Sequence, residues 1–256
     1  MSDAVELRTE RPHPARIYNY LLGGDDNYPA DRAAAEAGLA VNPGARVAAR
    51  SNREFLRRVV TFLAGAGVDQ FLDVGSGIPA ADSTHLVAPD ATVVYLDYDP
   101  LVVARGRDEP GRVRYAHADL REPDRVLARA AETLDLSRPV GLLLVAVTHH
   151  LLDAEDPHAR VARLVHALAP GSYLALSQLT SDLAPDGWSA LEQDFTKRGV
   201  VLRPRPAREI ARFFDGLEPV EPGLTLVHRW RPDAHDLQSD QPDDLVSVMG
   251  AVARKP

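Results

Sequence analysis

The sequence predicts an α/β fold, with five parallel strands covered by helices on both faces and an antiparallel pair at the C-terminal end. Three observations predict it. Short, nearly continuous apolar runs alternate with helix-period segments between residues 69 and 180, as in a parallel sheet buried on both faces. The first run, Gln70-Phe71-Leu72-Asp73-Val74, ends in the glycine turn Gly75-Ser76-Gly77. A second run, Val93-Val94-Tyr95-Leu96-Asp97, ends in a carboxylate about 20 residues past that turn, the layout of a nucleotide-binding first βαβ unit.

Taken in order, residues 1–11 read as a disordered tail and 12–68 as a helical N-terminal segment leading into the core, 69–256. The stretch from Pro14 to Leu22 puts Ile17, Tyr20 and Leu21 on one helical face, and Gly23-Gly24 stops it. Asn42-Pro43 opens a longer helix, with Phe55, Leu56, Val59, Val60 and Leu63 at three-to-four spacing and an end at Gly65. After the glycine turn, Pro79 reads as the opening of the next helix. A helix from Pro100, a strand over Val113–His117 and a helix over 122–134 follow. The buried-looking strand Val140–Val147 comes next, then a helix capped by Asp156-Pro157 and the strand Tyr173–Ser177. Beyond residue 180, helices near 186–197 and 206–216 precede strand-like Leu224–Trp230, a polar loop from Arg231 to Asp244 and a last strand, Val246–Ala253. Two strands joined without a crossover helix pair antiparallel. Five parallel strands plus such a pair make a seven-stranded, Rossmann-like sheet. That is the arrangement of class I methyltransferases, which use S-adenosyl-L-methionine, and not the six-parallel-strand dinucleotide fold.

Composition bounds the partners. At 256 residues and 45% hydrophobic, the chain can bury one large core. A net charge of -8 and a pI near 5.6 argue against nucleic acid or an anionic membrane as the main partner. There is no cysteine, which removes disulfides, thiolate catalysis and zinc-thiolate sites. The longest apolar run, Val140 to Val147, is too short to span a bilayer, and the N-terminus carries no signal-peptide apolar core. A cytoplasmic protein is expected. Its arginine and alanine bias hints at a high-GC bacterial genome.

The glycine turn alone is a weak signal, because with Ala80 it also satisfies a permitted dinucleotide variant. An NAD(P)-dependent oxidoreductase is therefore the competing enzyme, and a non-catalytic S-adenosylmethionine-binding protein the competing non-enzyme. Asp73, inside the first strand, favours the methyl donor, whose methionine ammonium it can meet. Pro79 favours it too, since a helix so close to the turn leaves little room for a pyrophosphate. Asp99, just before Pro100, is explained as a helix cap. Asp97 has no such local role and is the expected ribose ligand, with Tyr98 over one face of the adenine. Ala118-Asp119-Leu120 follows the third strand, where Asp119 can accept from the adenine amino group or simply cap the next helix. Ala146 and Thr148, at the end of the fourth strand, complete the expected cofactor set with Gly75, Ser76 and Gly77. His149 and His150 stand at the same edge as candidate bases, needed only if the acceptor must lose a proton. No His or carboxylate nearby shows helical ligand spacing, so no metal is expected.

These residues resemble the methyltransferase family 19 of high-GC Gram-positive bacteria, first catalogued as a domain of unknown function. The resemblance runs from about Pro12 to Pro256 and rests on RPHPARIYNYLLGGDDNYPADR (11–32), FLDVGSGIP (71–79), VVYLDYDP (93–100), LLLVAVTHHLLD (142–153), PGSYLALS (170–177) and FFDGLEPVEPGLTLVHRWRP (213–232). It implies a class I fold, the cofactor over Gly75–Gly77 and Asp97, and an N-terminal lid above the methyl group. By that analogy Arg16, Tyr18, Tyr20, Asn27 and Tyr28 face the pocket, or else pack against the sheet edge. The acidic surface and enclosing N-terminus favour a small-molecule acceptor, whose identity the sequence does not reveal.

Overall fold

A computed structural model describes residues 7–183 and 185–256. The parallel strands are β1 (Gln70–Val74), β2 (Thr92–Asp97), β3 (Val113–His117), β4 (Gly141–Val145) and β5 (Tyr173–Leu179). They lie in the order β3-β2-β1-β4-β5, so the winding reverses between β1 and β4. The crevice at the carboxyl ends there is where open α/β sheets hold ligands. Asp73 of β1 sits opposite Tyr95 of β2 and Leu143 of β4, placing its carboxylate at the mouth of that crevice.

The helices are α1 (Pro14–Leu22), α2 (Pro29–Val41), α3 (Ala45–Gly65), α4 (Thr84–Val87), α5 (Pro100–Arg105), α6 (Pro123–Ala130), α7 (Pro157–Ala167), α8 (Pro185–Lys197) and α9 (Ala207–Ala211). On one face of the sheet Val126 of α6 and Val161 and Leu164 of α7 join Leu72, Leu142 and Leu174 in one core. On the other, Phe55, Val59 and Leu63 of α3 pack with Phe71, Leu143 and Val252. Burial on both faces is why the strands read as unbroken apolar runs. No helix among the described residues is long and apolar enough to cross a membrane.

At the C-terminal end, β8 (Val248–Arg254) pairs antiparallel with β5, Ala175 opposite Val252. Its other edge carries two fragments, β6 (Glu218–Pro219) and β7 (Thr225–Leu226), so among the described residues the sheet has eight strands and not the seven expected. The strand expected over 224–230 pairs only at Thr225 and Leu226, because the chain then turns in to bury Trp230. That ring sits edge-on to Phe55 and Phe62, centroids 5.5 and 6.0 Å away. Arg58, itself buried, donates to the Trp230 and Val227 carbonyls at 2.8 and 2.6 Å. Core packing outweighs the edge ladder here.

Two further expectations change. Pro79 does not open a helix: the chain is irregular until α4 starts at Thr84. Ser83 Oγ closes the preceding turn by bonding to the Ala80 N–H and carbonyl, and Thr84 Oγ1 donates to Asp73 at 3.1 Å. Among the described residues, no helix start therefore stands close enough to the glycine turn to crowd a pyrophosphate there. Helix α2 was not anticipated, although Pro29 begins it and Asp31 accepts from the Tyr28 N–H at 2.8 Å, a helix-start signature. Its buried face is Ala34, Ala35 and Gly38, too small to show as hydrophobic periodicity. Of the expected tail, residues 1–6 lie outside the described residues. Beyond them, the Arg8 and Arg11 carbonyls accept from Arg16 Nη2 at 3.3 and 3.2 Å.

Helices α1, α2 and α8 share a third apolar cluster in which Ile17, Ala34 and Ala35 meet Trp188, Leu191 and Phe195. This cluster adjoins the crevice, and Ile17, Ala35, Trp188, Leu191 and Phe195 stand in the wall of the same cavity.

Candidate active site

A cavity of about 200 Å³ opens where the strand ends meet the N-terminal helices. Its floor is the glycine turn. Gly75 and Gly77 have φ of +71° and +68°, a region that side chains disfavour. A Cβ on Gly75 would stand 2.3 Å from Cγ2 of Val147, whereas one on Gly77 would meet open space. The turn is therefore pressed against the end of β4 on one side and open to the cavity on the other. Its N–H groups are held from β2: Gly75 donates to the Leu96 carbonyl at 2.7 Å, and Gly77 donates to Asp97 Oδ2 at 2.9 Å.

Asp97 thus has the local role the sequence did not reveal. One oxygen braces Gly77 and the other accepts from the Asp99 N–H at 2.9 Å. Each oxygen keeps further acceptor capacity. Asp73 and Asp97 both line the cavity and are both buried. Burial pushes each carboxyl up to about 6. Ser76 Oγ, also in the wall, is buried without a hydrogen-bond partner among the described residues.

Tyr98, Ala118, Asp119, Leu120 and Ala146 line the cavity as well. Tyr98 is 39% exposed, with the His13 ring 4.4 Å away. Asp119 does not cap α6, whose N-cap is Glu122. It accepts from the Arg121 N–H at 2.8 Å, and the Arg121 side chain continues to Glu155 and to the His150 carbonyl. Ala146 has φ +56° and donates to Ser177 Oγ at 2.9 Å, a strained backbone site where β4 gives way to the cavity wall.

Thr148 is absent from that wall. It is fully buried, and its hydroxyl donates to Gln178 Oε1 of β5 at 2.5 Å, so it ties the strand end to the sheet. The histidines beside it do reach the cavity. His150 Nδ1 lies 2.7 Å from the Val201 carbonyl. A carbonyl only accepts, so Nδ1 carries the proton and Nε2 keeps a lone pair. His149 Nδ1 faces the Leu179 N–H at 3.5 Å, which leaves its proton on Nε2. Burial lowers both, His150 to about 4, so both are neutral at pH 7. Arg205, which the sequence did not single out, holds this turn from below. It donates to the Thr148 and Leu151 carbonyls at 3.0 and 2.8 Å and pairs with Asp153.

Of the five lid residues only Tyr18 lines the cavity. Its hydroxyl donates to the Ala49 carbonyl at 2.9 Å and accepts from Asn52 at 3.0 Å. Arg16 is turned away and buried, pairing with Asp99 at 3.2 Å and lying over the Tyr28 ring. Tyr20 bonds Glu36, Asn27 bonds Asn19 and Gly24, and Tyr28 caps α2. These four fasten the N-terminal segment together and to the core. Asp99 is correspondingly more than a cap: besides accepting from the Leu101 N–H it pairs with Arg16 at 3.2 Å, while the neutral His13 ring, whose Nδ1 accepts from the Ala15 N–H, packs beside it. Sequence reasoning also missed Arg53, which reaches the cavity from α3 while paired to Asp82, and the α8 residues Trp188, Leu191 and Phe195.

The strand order, the terminal antiparallel strand and the carboxylate-flanked glycine turn define a class I S-adenosylmethionine-dependent methyltransferase. The chain belongs to methyltransferase family 19, described as S-adenosyl methyltransferase, whose model matches residues 2–256. It is similar along its length to a DUF574-family protein of Streptomyces avermitilis, with 41% identity, TM-score 0.93 and coverage of 98% of this chain and 100% of that one. A putative methyltransferase from Thermobifida fusca is 37% identical with TM-score 0.89, covering 97% of each chain. The N-methyltransferase NodS from Bradyrhizobium japonicum, in complex with S-adenosyl-L-homocysteine, shares the fold at 17% identity and TM-score 0.52, over 94% of this chain and 99% of that one. Among curated proteins, the carboxy-S-adenosyl-L-methionine synthase of Chromohalobacter salexigens is 33% identical over 97 residues. That match spans 35% of this chain and about a third of the synthase. The cofactor is S-adenosyl-L-methionine.

Proposed function

We propose that the chain methylates a small-molecule acceptor held between the glycine turn and the N-terminal helices. The observation that carries this reading is the continuity of one cavity. It runs from two buried carboxylates flanking the glycine turn to a wall built by α1, α2 and α8. The residues fit the cofactor. The open space over Gly77 admits it closely, the Ser76 hydroxyl awaits a partner, and two carboxylates face its cationic and hydroxyl groups. In this reading Asp73 holds the methionine ammonium, Asp97 the ribose hydroxyls, and Tyr98 with Asp119 and Leu120 the adenine.

When bound, S-adenosyl-L-methionine supplies a sulfonium methyl: the acceptor atom bonds to that carbon as the carbon–sulfur pair returns to sulfur. The protein's part is positioning, which supplies most of the acceleration of such a displacement. His150 Nε2, a neutral lone pair, takes the acceptor's proton, and His149 Nε2–H donates to the same acceptor group. Arg205 sets the height of both rings through the turn's carbonyls. Tyr18 shapes the wall, while Arg16, Tyr20, Asn27 and Tyr28 hold the N-terminal segment that closes it.

Titration calorimetry with S-adenosylhomocysteine tests the core of the reading. Asp97→Asn is expected to weaken binding by about 1–3 kcal/mol, the cost of a lost charged hydrogen-bond partner. Unchanged affinity would refute the ribose assignment.

A further inference from the structure

We infer that the acceptor is an uncharged, mostly apolar molecule bearing a single hydroxyl at its reacting end. The inference rests on the functional reading above and concerns the half of the cavity that the cofactor leaves over. That half is walled by Ile17 and Leu21 of α1, Trp188, Leu191 and Phe195 of α8, and Leu202. Among the described residues, the lining contributed by α1, α2, α8 and residues 200–202 includes no Asp, Glu, Lys or Arg.

The charges that do reach the cavity belong elsewhere. Asp73 and Asp97 flank the glycine turn, and Asp119 and Arg121 pair with one another. Arg53 is matched by Asp82. An acceptor carrying a formal charge would leave water for a wall with no counter-charge, which is costly.

The polar groups on this side narrow the class further. The Tyr18 hydroxyl both donates and accepts within the protein, and Asn42 Oδ1 accepts from the Gly44 N–H. Both of these oxygens are spent within the protein, whereas the Trp188 indole N–H and His13 Nε2, which also line the cavity, are buried without a partner among the described residues. His149 and His150 differ from those oxygens, because each spends Nδ1 on the backbone and keeps Nε2. One Nε2 carries a proton and the other a lone pair, and the rings are 4.4 Å apart. A hydroxyl accepts from the first while donating to the second, whereas an alkylamine is protonated at pH 7 and so falls to the uncharged wall, and an arylamine's delocalised nitrogen accepts poorly. An ether or ketone satisfies only His149, and a carboxylate would oppose the lone pair of His150.

Calorimetry on the full chain saturated with S-adenosylhomocysteine tests this with a matched set: 2-naphthol, naphthalene, 2-naphthoate and 2-naphthylmethylammonium. The neutral naphthol is expected to bind saturably, at least tenfold tighter than either ion. It should also bind several-fold tighter than naphthalene, an advantage that His150→Gln removes. Leu191→Lys, or Leu202→Lys should the first fail to fold, is expected to shift the preference toward 2-naphthoate without altering S-adenosylhomocysteine affinity. An ion binding as tightly as naphthol, or no saturable naphthol binding, overturns the neutral class. Equal affinity for naphthol and naphthalene overturns the hydroxyl. If S-adenosylhomocysteine itself fails to bind, the cofactor assignment falls instead, and the same titrations on the ligand-free protein still decide the acceptor class.

Discussion

The two ends of the cavity are built on opposite principles. The proposed cofactor end is made of backbone at strand termini and of carboxylates within a few residues of it. Its glycines cannot carry a side chain without collision or strain, and its carboxylates Asp73 and Asp97 are buried. The proposed acceptor end is made of side chains from helices far apart in sequence, α1 and α2 near the N-terminus and α8 beyond residue 184. It is small-residue and aromatic packing with no rigid backbone demand. A fixed donor site joined to a repackable acceptor site is a physical basis for one scaffold serving many acceptors.

The largest expected effect lies where the two ends meet. His150→Gln keeps a donor for the Val201 carbonyl but loses the basic lone pair. Turnover of a hydroxyl acceptor should drop by roughly a hundred- to ten-thousand-fold, with S-adenosylhomocysteine affinity unchanged. His149→Gln should cost less, because its proposed role is donation. Steady-state rates of S-adenosylhomocysteine formation by both variants check this. Equal losses would mean that the tautomer difference has no catalytic meaning.

Gly75→Ala comes next. The added methyl would meet Val147 at 2.3 Å in a backbone conformation of φ +71°. Displacing the turn from β4 should lower stability by about 1–3 kcal/mol and weaken S-adenosylhomocysteine binding at least tenfold. Thermal melts and calorimetry read the two effects separately.

Asp73 sharpens the contrast in charge. Its carboxyl is raised from 3.8 to about 6 by burial, so the native state holds a proton that the unfolded chain releases. Between those values the native state binds more protons, and stability falls as pH rises through the window. The full loss is about 3 kcal/mol. Asp73→Asn should therefore stabilise the ligand-free protein at pH 7.5 by about 1–3 kcal/mol and do little below pH 4. It should weaken cofactor binding at the same time. In the wild type, S-adenosylhomocysteine affinity is expected to fall as pH drops below about 6, because the protonated acid no longer attracts an ammonium. Denaturant melts at several pH values would expose the opposite signs.

The same division explains what the sequence could show. The five parallel strands, the glycine turn and the placing of Asp73, Asp97 and Asp119 in the cavity wall are legible because each depends on neighbours within a few residues. The brace from Asp97 to Gly77 was not, since a carboxylate's spare hydrogen bonds leave no trace in spacing. Thr148 looked like a ligand because it sits at a strand end, yet nothing local tells which way a strand-end side chain turns. Gln178, which captures it, is 30 residues away. Arg16 and Asp99 read as a lid residue and a cap because their ion pair joins segments 83 positions apart. Trp188, Leu191 and Phe195 carry ordinary helical periodicity, and only the tertiary fold sets them against α1 and α2.

The smallest expected effect tests the contrast from its tolerant side. Gly38 lies inside α2, on the face toward α8. A Cβ there would stand 3.5 Å from the Phe195 ring, ordinary van der Waals contact. Unlike Gly75, its backbone has no positive φ. Gly38→Ala should therefore gain helix propensity, about 0.5–1 kcal/mol, and leave S-adenosylhomocysteine affinity unchanged. The added methyl takes a little of the acceptor's space, so the affinity for 2-naphthol should fall by no more than a few-fold. Were Gly38→Ala to weaken S-adenosylhomocysteine binding as Gly75→Ala does, the two ends would not be separable, and the cavity would have to be treated as one rigid unit.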